Sequence, residues 1–123
     1  MSEEQRRRGM STRRAVLGDA HVDRAEASKT DFNEEFQDLL TRYAWGEIWT
    51  RPGLDRRTRS CITVAMLVAL NRQDELVIHI RGALNNGVTR DELKEILLQA
   101  AVYCGVPAAN TAFGVAAKVL SEL

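Results

Sequence analysis

The stretch DELVIHIRGALNNGVTRDE, residues 74–92, decides the fold. Leu76, Val77, Ile80, Ala83 and Leu84 recur at the three- and four-residue spacing of an α-helix, with Asp74 at its start. Asn85-Asn86-Gly87 ends that helix, because glycine readily takes the left-handed conformation of a helix stop. Thr89-Arg90-Asp91-Glu92 then reads as a capping box, in which threonine and glutamate each satisfy the other's backbone amide. His79, one of two histidines, lies at the edge of the apolar stripe, three residues from Leu76 and four from Ala83. Glu75 precedes it by one turn on the same side, close enough to orient the imidazole or raise its pKa.

The same logic extends in both directions. Leu93, Ile96, Leu97, Ala100 and Ala101 give the next helix one apolar face, and Gly105-Val106-Pro107 repeats the stop and restart. The last helix, residues 108–120, is rich in Ala and Gly, which allows close approach of a neighbouring helix within the domain or across a subunit interface. Upstream, Asp55 caps a helix that opens on Arg56, Arg57 and Arg59. From Cys61 to Leu70 that helix is apolar nearly all round, which places it at the centre of the domain. Arg51-Pro52-Gly53-Leu54 is a loop. Asp31 followed by Glu34 predicts an N-cap, with Phe32, Phe36, Leu39, Leu40 and Tyr43 at helical spacing behind it, running into WGEIW, where Gly46 permits a bend. Residues 12–27 read as an arm or short helix anchored by Val16, Leu17 and Val22 around Gly18. The whole predicts an all-α domain of about six helices over residues 12–123, after a solvated, disordered basic tail over 1–11 that carries Arg6-Arg7-Arg8.

Composition bounds the function. A chain of 123 residues buries roughly two thirds of the surface its unfolded form exposes, so it needs no metal or disulfide staple. Seventeen basic and seventeen acidic side chains cancel, and no basic stripe with interleaved aromatics appears, which argues against a nucleic-acid partner. The longest apolar run, Val64 to Leu70, is far short of the ~20 residues a membrane helix needs, and the start lacks a signal-peptide core. A cytoplasmic protein without a membrane partner is expected. Cys61 and Cys104 lie far apart in apolar sequence, as reduced, buried thiols do, and metal-ligand spacing is absent.

The segments YAWGEIWTRPGLDRRTRS and ELVIHIRGALNNGVTRDELKEILLQAAVYCGVPAANTAF, with GDAHVDRA at 18–25, resemble the gamma-carboxymuconolactone decarboxylases, within the alkylhydroperoxidase D-like superfamily. The resemblance covers all but the tail, and runs through loops and caps where packing alone does not dictate residue choice. Peroxidases of the same superfamily carry a Cys-x-x-Cys pair whose second cysteine lies four residues before a histidine, since their chemistry exchanges a disulfide. Here Arg72 and Glu75 occupy those places, so a thiol peroxidase is disfavoured unless Cys61 and Cys104 meet in space from different helices. A non-catalytic scaffold or binding subunit is the other alternative.

The resemblance implies cofactor-independent decarboxylation of 4-carboxymuconolactone to 3-oxoadipate enol-lactone, in the degradation of aromatic compounds through protocatechuate. The substrate is a lactone with two carboxylates, and it supplies its own electron sink. The protein must hold the dianion, stabilise the developing oxyanion and deliver a proton to ring carbon. The catalytic candidates are His79 as proton donor or oxyanion partner, Glu75 holding its tautomer, and Glu47, which WGEIW sets between two tryptophans, as a second acid or base. Arg51 and Arg59 are the candidates for the substrate carboxylates, because a guanidinium offers a charged two-pronged fork. Trp45, Trp49 and Tyr43 are candidate walls of the pocket. The resemblance further implies a homo-oligomer, a hexameric ring first and a trimer second, which makes a pocket formed between subunits plausible.

Overall fold

A computed structural model describes residues 2–123, which form seven α-helices and one π-helix, with no strand among the described residues. The all-α expectation holds. The residues gather into two compact units, one running to Asp55 and the other Arg56–Leu123, where the sequence reading has one domain from residue 12.

In the first unit, α1 (Glu3–Leu17) and α2 (Asp19–Ala27) meet at Gly18, whose φ of 91° is left-handed and breaks the helix. From Glu3 onward, the tail expected over residues 1–11 is therefore part of α1; residue 1 lies outside the described residues. Ser2 caps it by accepting from the Gln5 amide at 3.1 Å, with Glu3 and Glu4 in the favourable first turn. Arg6, the start of the basic run, is tied down by Asp38 at 2.9 Å. Val16, Leu17 and Val22 are buried, as their anchor reading requires. The next helix, α3 (Glu34–Leu40), starts after Asn33, whose side chain accepts from the Thr30 amide at 2.8 Å, so the expected Asp31 cap is not used. Phe32, Phe36, Leu39 and Tyr43 are largely exposed; the apolar spacing there marks a face that this unit does not bury.

The chain does not bend at Gly46. It passes from α3 into a π-helix, Thr41–Ile48, closed by the Trp49 amide donating to the Ala44 carbonyl at 2.9 Å. Runs of this kind are rare and concentrate at functional sites. Gly46 is needed for packing: a Cβ there would stand 2.5 Å from the Gln5 carbonyl oxygen of α1. Gly9 on α1 makes the reciprocal approach, against the Thr41 carbonyl.

The second unit is a four-helix assembly of α4 (Arg56–Ala69), α5 (Gln73–Asn85), α6 (Arg90–Cys104) and α7 (Val106–Ser121). Its core joins Val64 and Val68 of α4, Leu76 and Ile80 of α5, Leu93 and Leu97 of α6, and Ala112, Ala116 and Val119 of α7. Full burial of each large aliphatic side chain contributes about 1.5–3 kcal/mol. The predicted stops and the capping box are present, while α5 begins at Gln73, one residue before Asp74. Gly87 and Gly105 take φ of 91° and 98°, and Thr89 and Glu92 complete the capping box. Two inward assignments change: Ile62 and Met66 lie exposed on the outer side of α4 with Leu70 exposed just past its end, and Val77 is exposed on α5. A helix apolar all round is thus buried along one side only. No described helix is long and apolar enough to cross a membrane.

Candidate active site

Helix α5 presents His79 partly buried, between fully buried Leu76 and Ile80 and the exposed outer face. The edge position read from the periodicity is the one observed. Glu75 lies one turn earlier, and its Oε1 accepts from Nη2 of Arg72 at 2.6 Å. That bond, first, holds the Glu75 carboxyl below its ordinary pKa, and the charge of His79 acts in the same direction more weakly. The result is a short polar line along one side of α5: guanidinium, ionised carboxylate, imidazole. Arg72 was visible in the sequence only as the occupant of a peroxidase cysteine position. Its role as the bonded partner of Glu75 follows from their three-residue spacing.

Arg59 lies in the first turns of α4, partly buried, beside fully buried Ser60. Ser60 receives a hydrogen bond from the Asn86 side chain at 2.9 Å, which ties the start of α4 to the end of α5, so the elements carrying Arg59 and His79 are cross-linked by a part-buried polar pair. Arg57 is engaged by Glu92 and is a surface ion pair, whereas Arg56 is exposed.

The other candidates belong to the first unit. Trp45 is buried on the π-helix and stacks on Trp49, with ring centroids 5.0 Å apart and planes 26° from parallel. Glu47, between them in sequence, is exposed, as are Tyr43 and Arg51. The tryptophans therefore shield each other rather than burying the carboxylate, and the desolvated setting expected for Glu47 is absent within this unit. The π-helix presents Tyr43 and Glu47 outward from a fixed aromatic base.

Cys61 and Cys104, far apart in sequence, line one groove of about 320 Å³ between α4 and α6. A larger cavity of about 530 Å³ between α6 and α7, walled by Leu93, Leu97 and Phe113, is lined by none of the residues named for chemistry. Among the described residues, no three His, Cys, Asp or Glu side chains gather as a metal would require.

The fold is all-α and sets Glu75 one turn before a part-buried His79 on α5. Residues 34–118 match the model of the carboxymuconolactone decarboxylase family, and the chain belongs to that family. It is 50% identical over 124 residues to a 4-carboxymuconolactone decarboxylase of Acinetobacter baylyi, covering 100% of this chain and 92% of the relative. It is 43% identical over 115 residues to a nitrosuccinic acid decarboxylase of Metarhizium robertsii, covering 94% of this chain and 80% of that protein. A 4-carboxymuconolactone decarboxylase of Pseudomonas putida is 62% identical over 39 residues, covering 32% of this chain and 81% of the relative.

Proposed function

We propose that the protein is a carboxy-lyase that converts 4-carboxymuconolactone to 3-oxoadipate enol-lactone. The observation that carries this reading is the 50% identity to a decarboxylase of that name across the entire chain. The nitrosuccinic acid decarboxylase, whose named substrate also carries two carboxyl groups, supports loss of carbon dioxide from a dianion as the shared chemistry.

The reaction asks little covalent work of the protein. As one carboxylate leaves as carbon dioxide, the electrons of the broken carbon–carbon bond move through the ring double bond onto the lactone oxygen. A proton delivered to ring carbon then restores the lactone, so no cofactor is required. His79 is the group we assign to the proton or to the oxyanion. Glu75, whose carboxyl Arg72 holds below its ordinary pKa, places a negative charge one turn from His79. Arg51 and Arg59 are assigned to the carboxylates, Tyr43 and Trp45 to the pocket wall, and Glu47 to a second acid or base. We further infer a homo-oligomer, a hexamer before a trimer, acting in the cytoplasm; the exposed apolar side chains of both units support assembly. The peroxide-reducing and scaffold alternatives find no support in the two long decarboxylase matches.

Enzymatically generated carboxymuconolactone, followed by ultraviolet absorbance and carbon dioxide release, tests the reading. The native chain is expected to turn over and His79→Ala to lose about 100-fold or more, the scale of general acid catalysis. Arg59→Ala is expected to raise KM. No turnover by the native chain would sink the function, and full activity in both variants would sink the site.

A further inference from the structure

Arg13 is the one charged residue in the buried class among the described residues, with 5% of its surface exposed. Its Nε and Nη1 are shut off from solvent and donate no hydrogen bond. Buried guanidinium donors without acceptors are costly, and native proteins seldom leave them so without a reason. The nearest carboxylate in an ion pair, Glu26 on α2, approaches Nη1 only to 4.0 Å. Glu26 has another commitment, since its Oε2 accepts from Lys29 Nζ at 2.9 Å. His21, also on α2, is held below its ordinary pKa by burial first and then by the charges of Arg13 and Arg24. Glu26 is thus shared between Arg13 and Lys29, distant from the first and close to the second, while Arg14 beside Arg13 is paired with Asp19 and Asp23.

The comparisons add an independent observation. The family match begins at residue 34, after α1 and α2 have ended. The decarboxylases of Acinetobacter and Metarhizium nevertheless match over 100% and 94% of the chain, so their similarity runs back into the segment that holds this cluster. That segment lies outside the stretch matched by the family model and is shared with relatives that decarboxylate acids.

We propose that Arg13 is a receptor for a carboxylate of a small dianion: Glu26 is its resting counter-ion, and the ligand's carboxylate takes the place of Glu26 at Nη1 and also accepts from Nε while Glu26 stays on Lys29. The exchange requires that Glu26 give up its long contact and keep its short one, and that the side chains covering Nε and Nη1 move aside to admit the ligand. The identity of the acid rests on the decarboxylase reading; the receptor itself does not.

Succinate serves as the probe, titrated into the full-length protein by calorimetry and by thermal unfolding, against sodium chloride at equal ionic strength. The native chain is expected to bind succinate saturably and to gain stability beyond the chloride control. Glu26→Gln, which removes the competing carboxylate, is expected to bind several-fold more tightly, and Arg13→Lys, which keeps the charge but loses the fork, about tenfold more weakly. A purely structural Arg13–Glu26 pair predicts instead lower stability in both variants and no tighter binding in Glu26→Gln. That result, or no saturable succinate effect in the native chain, overturns the proposal even if Arg13→Lys fails to fold. In the turnover assay, competitive inhibition by succinate that weakens in Arg13→Lys identifies the substrate's carboxylate as the occupant. Inhibition that persists at saturating substrate identifies a separate small acid. Succinate binding by a chain that releases no carbon dioxide would leave the receptor standing and remove only the decarboxylase reading.

Discussion

Arg72 and Asp38 show how single side chains set charge in this protein. Arg72 touches Glu75 at 2.6 Å, and the site assigned to His79 depends on that carboxylate remaining ionised. Arg72→Ala is therefore expected to lower kcat more than KM and to shift the acid limb of the pH–rate profile, while Arg72→Lys restores part of both. An unchanged profile in Arg72→Ala would remove Arg72 and Glu75 from the mechanism. Asp38 accepts from Arg42 at 2.8 Å and from Arg6 at 2.9 Å, and these bonds, Arg42 first, hold its pKa below the usual value. A carboxyl depressed in the folded state stabilises above its unfolded pKa, near ~3.9, and loses that contribution as pH falls through the folded value. Asp38→Asn should accordingly narrow its stability difference from the native protein as pH falls below about 4 in urea titrations. A constant difference across that range would contradict the pairing.

At the scale of elements, what could be read from sequence was what local chemistry decides. The cap at Thr89, the stops at Gly87 and Gly105 and, Val77 apart, the stripe of α5 follow from residue type and spacing, and these are present. Helix α1 was missed because its apolar side chains are few; it is held by Ser2, by Asp38 and by contact of Gly9 with the π-helix, partners distant in sequence or outside the periodic pattern. The π-helix was missed for a related reason, since no residue pattern in WGEIW separates a bend from a widened turn. Likewise His79 was legible as an edge residue, but the exposure of Glu47 and the burial of Arg13 depend on packing. Two glycines separate these cases experimentally. Gly46→Ala is expected to destabilise by about 1–3 kcal/mol, because backbone atoms must move. Gly114→Ala, in α7 with open space around it, should stabilise by up to about 1 kcal/mol through helix propensity. Chemical denaturation of both variants checks the pair, and equal signs would refute the contrast.

For the whole molecule, the exposed apolar side chains carry the argument. Phe32, Phe36, Met66, Leu70, Val102 and Tyr103 each leave 57–96% of their surface exposed in the single chain. So many on a small protein are what the proposed assembly would cover. Sedimentation or native mass spectrometry is expected to find a hexamer, and Tyr103→Glu with Val102→Glu to reduce the assembly without unfolding the helices. A native monomer at micromolar concentration would refute the assembly.

The meeting of Gly9 with the π-helix has a practical consequence for anyone shortening the protein. Trimming to residue 34, where the family match begins, would delete the helix against which the π-helix packs its backbone and leave Asp38 with one arginine of two. Such a fragment should retain the four-helix unit while losing the rigid seat of Tyr43, Trp45 and Glu47, so its helicity would survive better than its turnover.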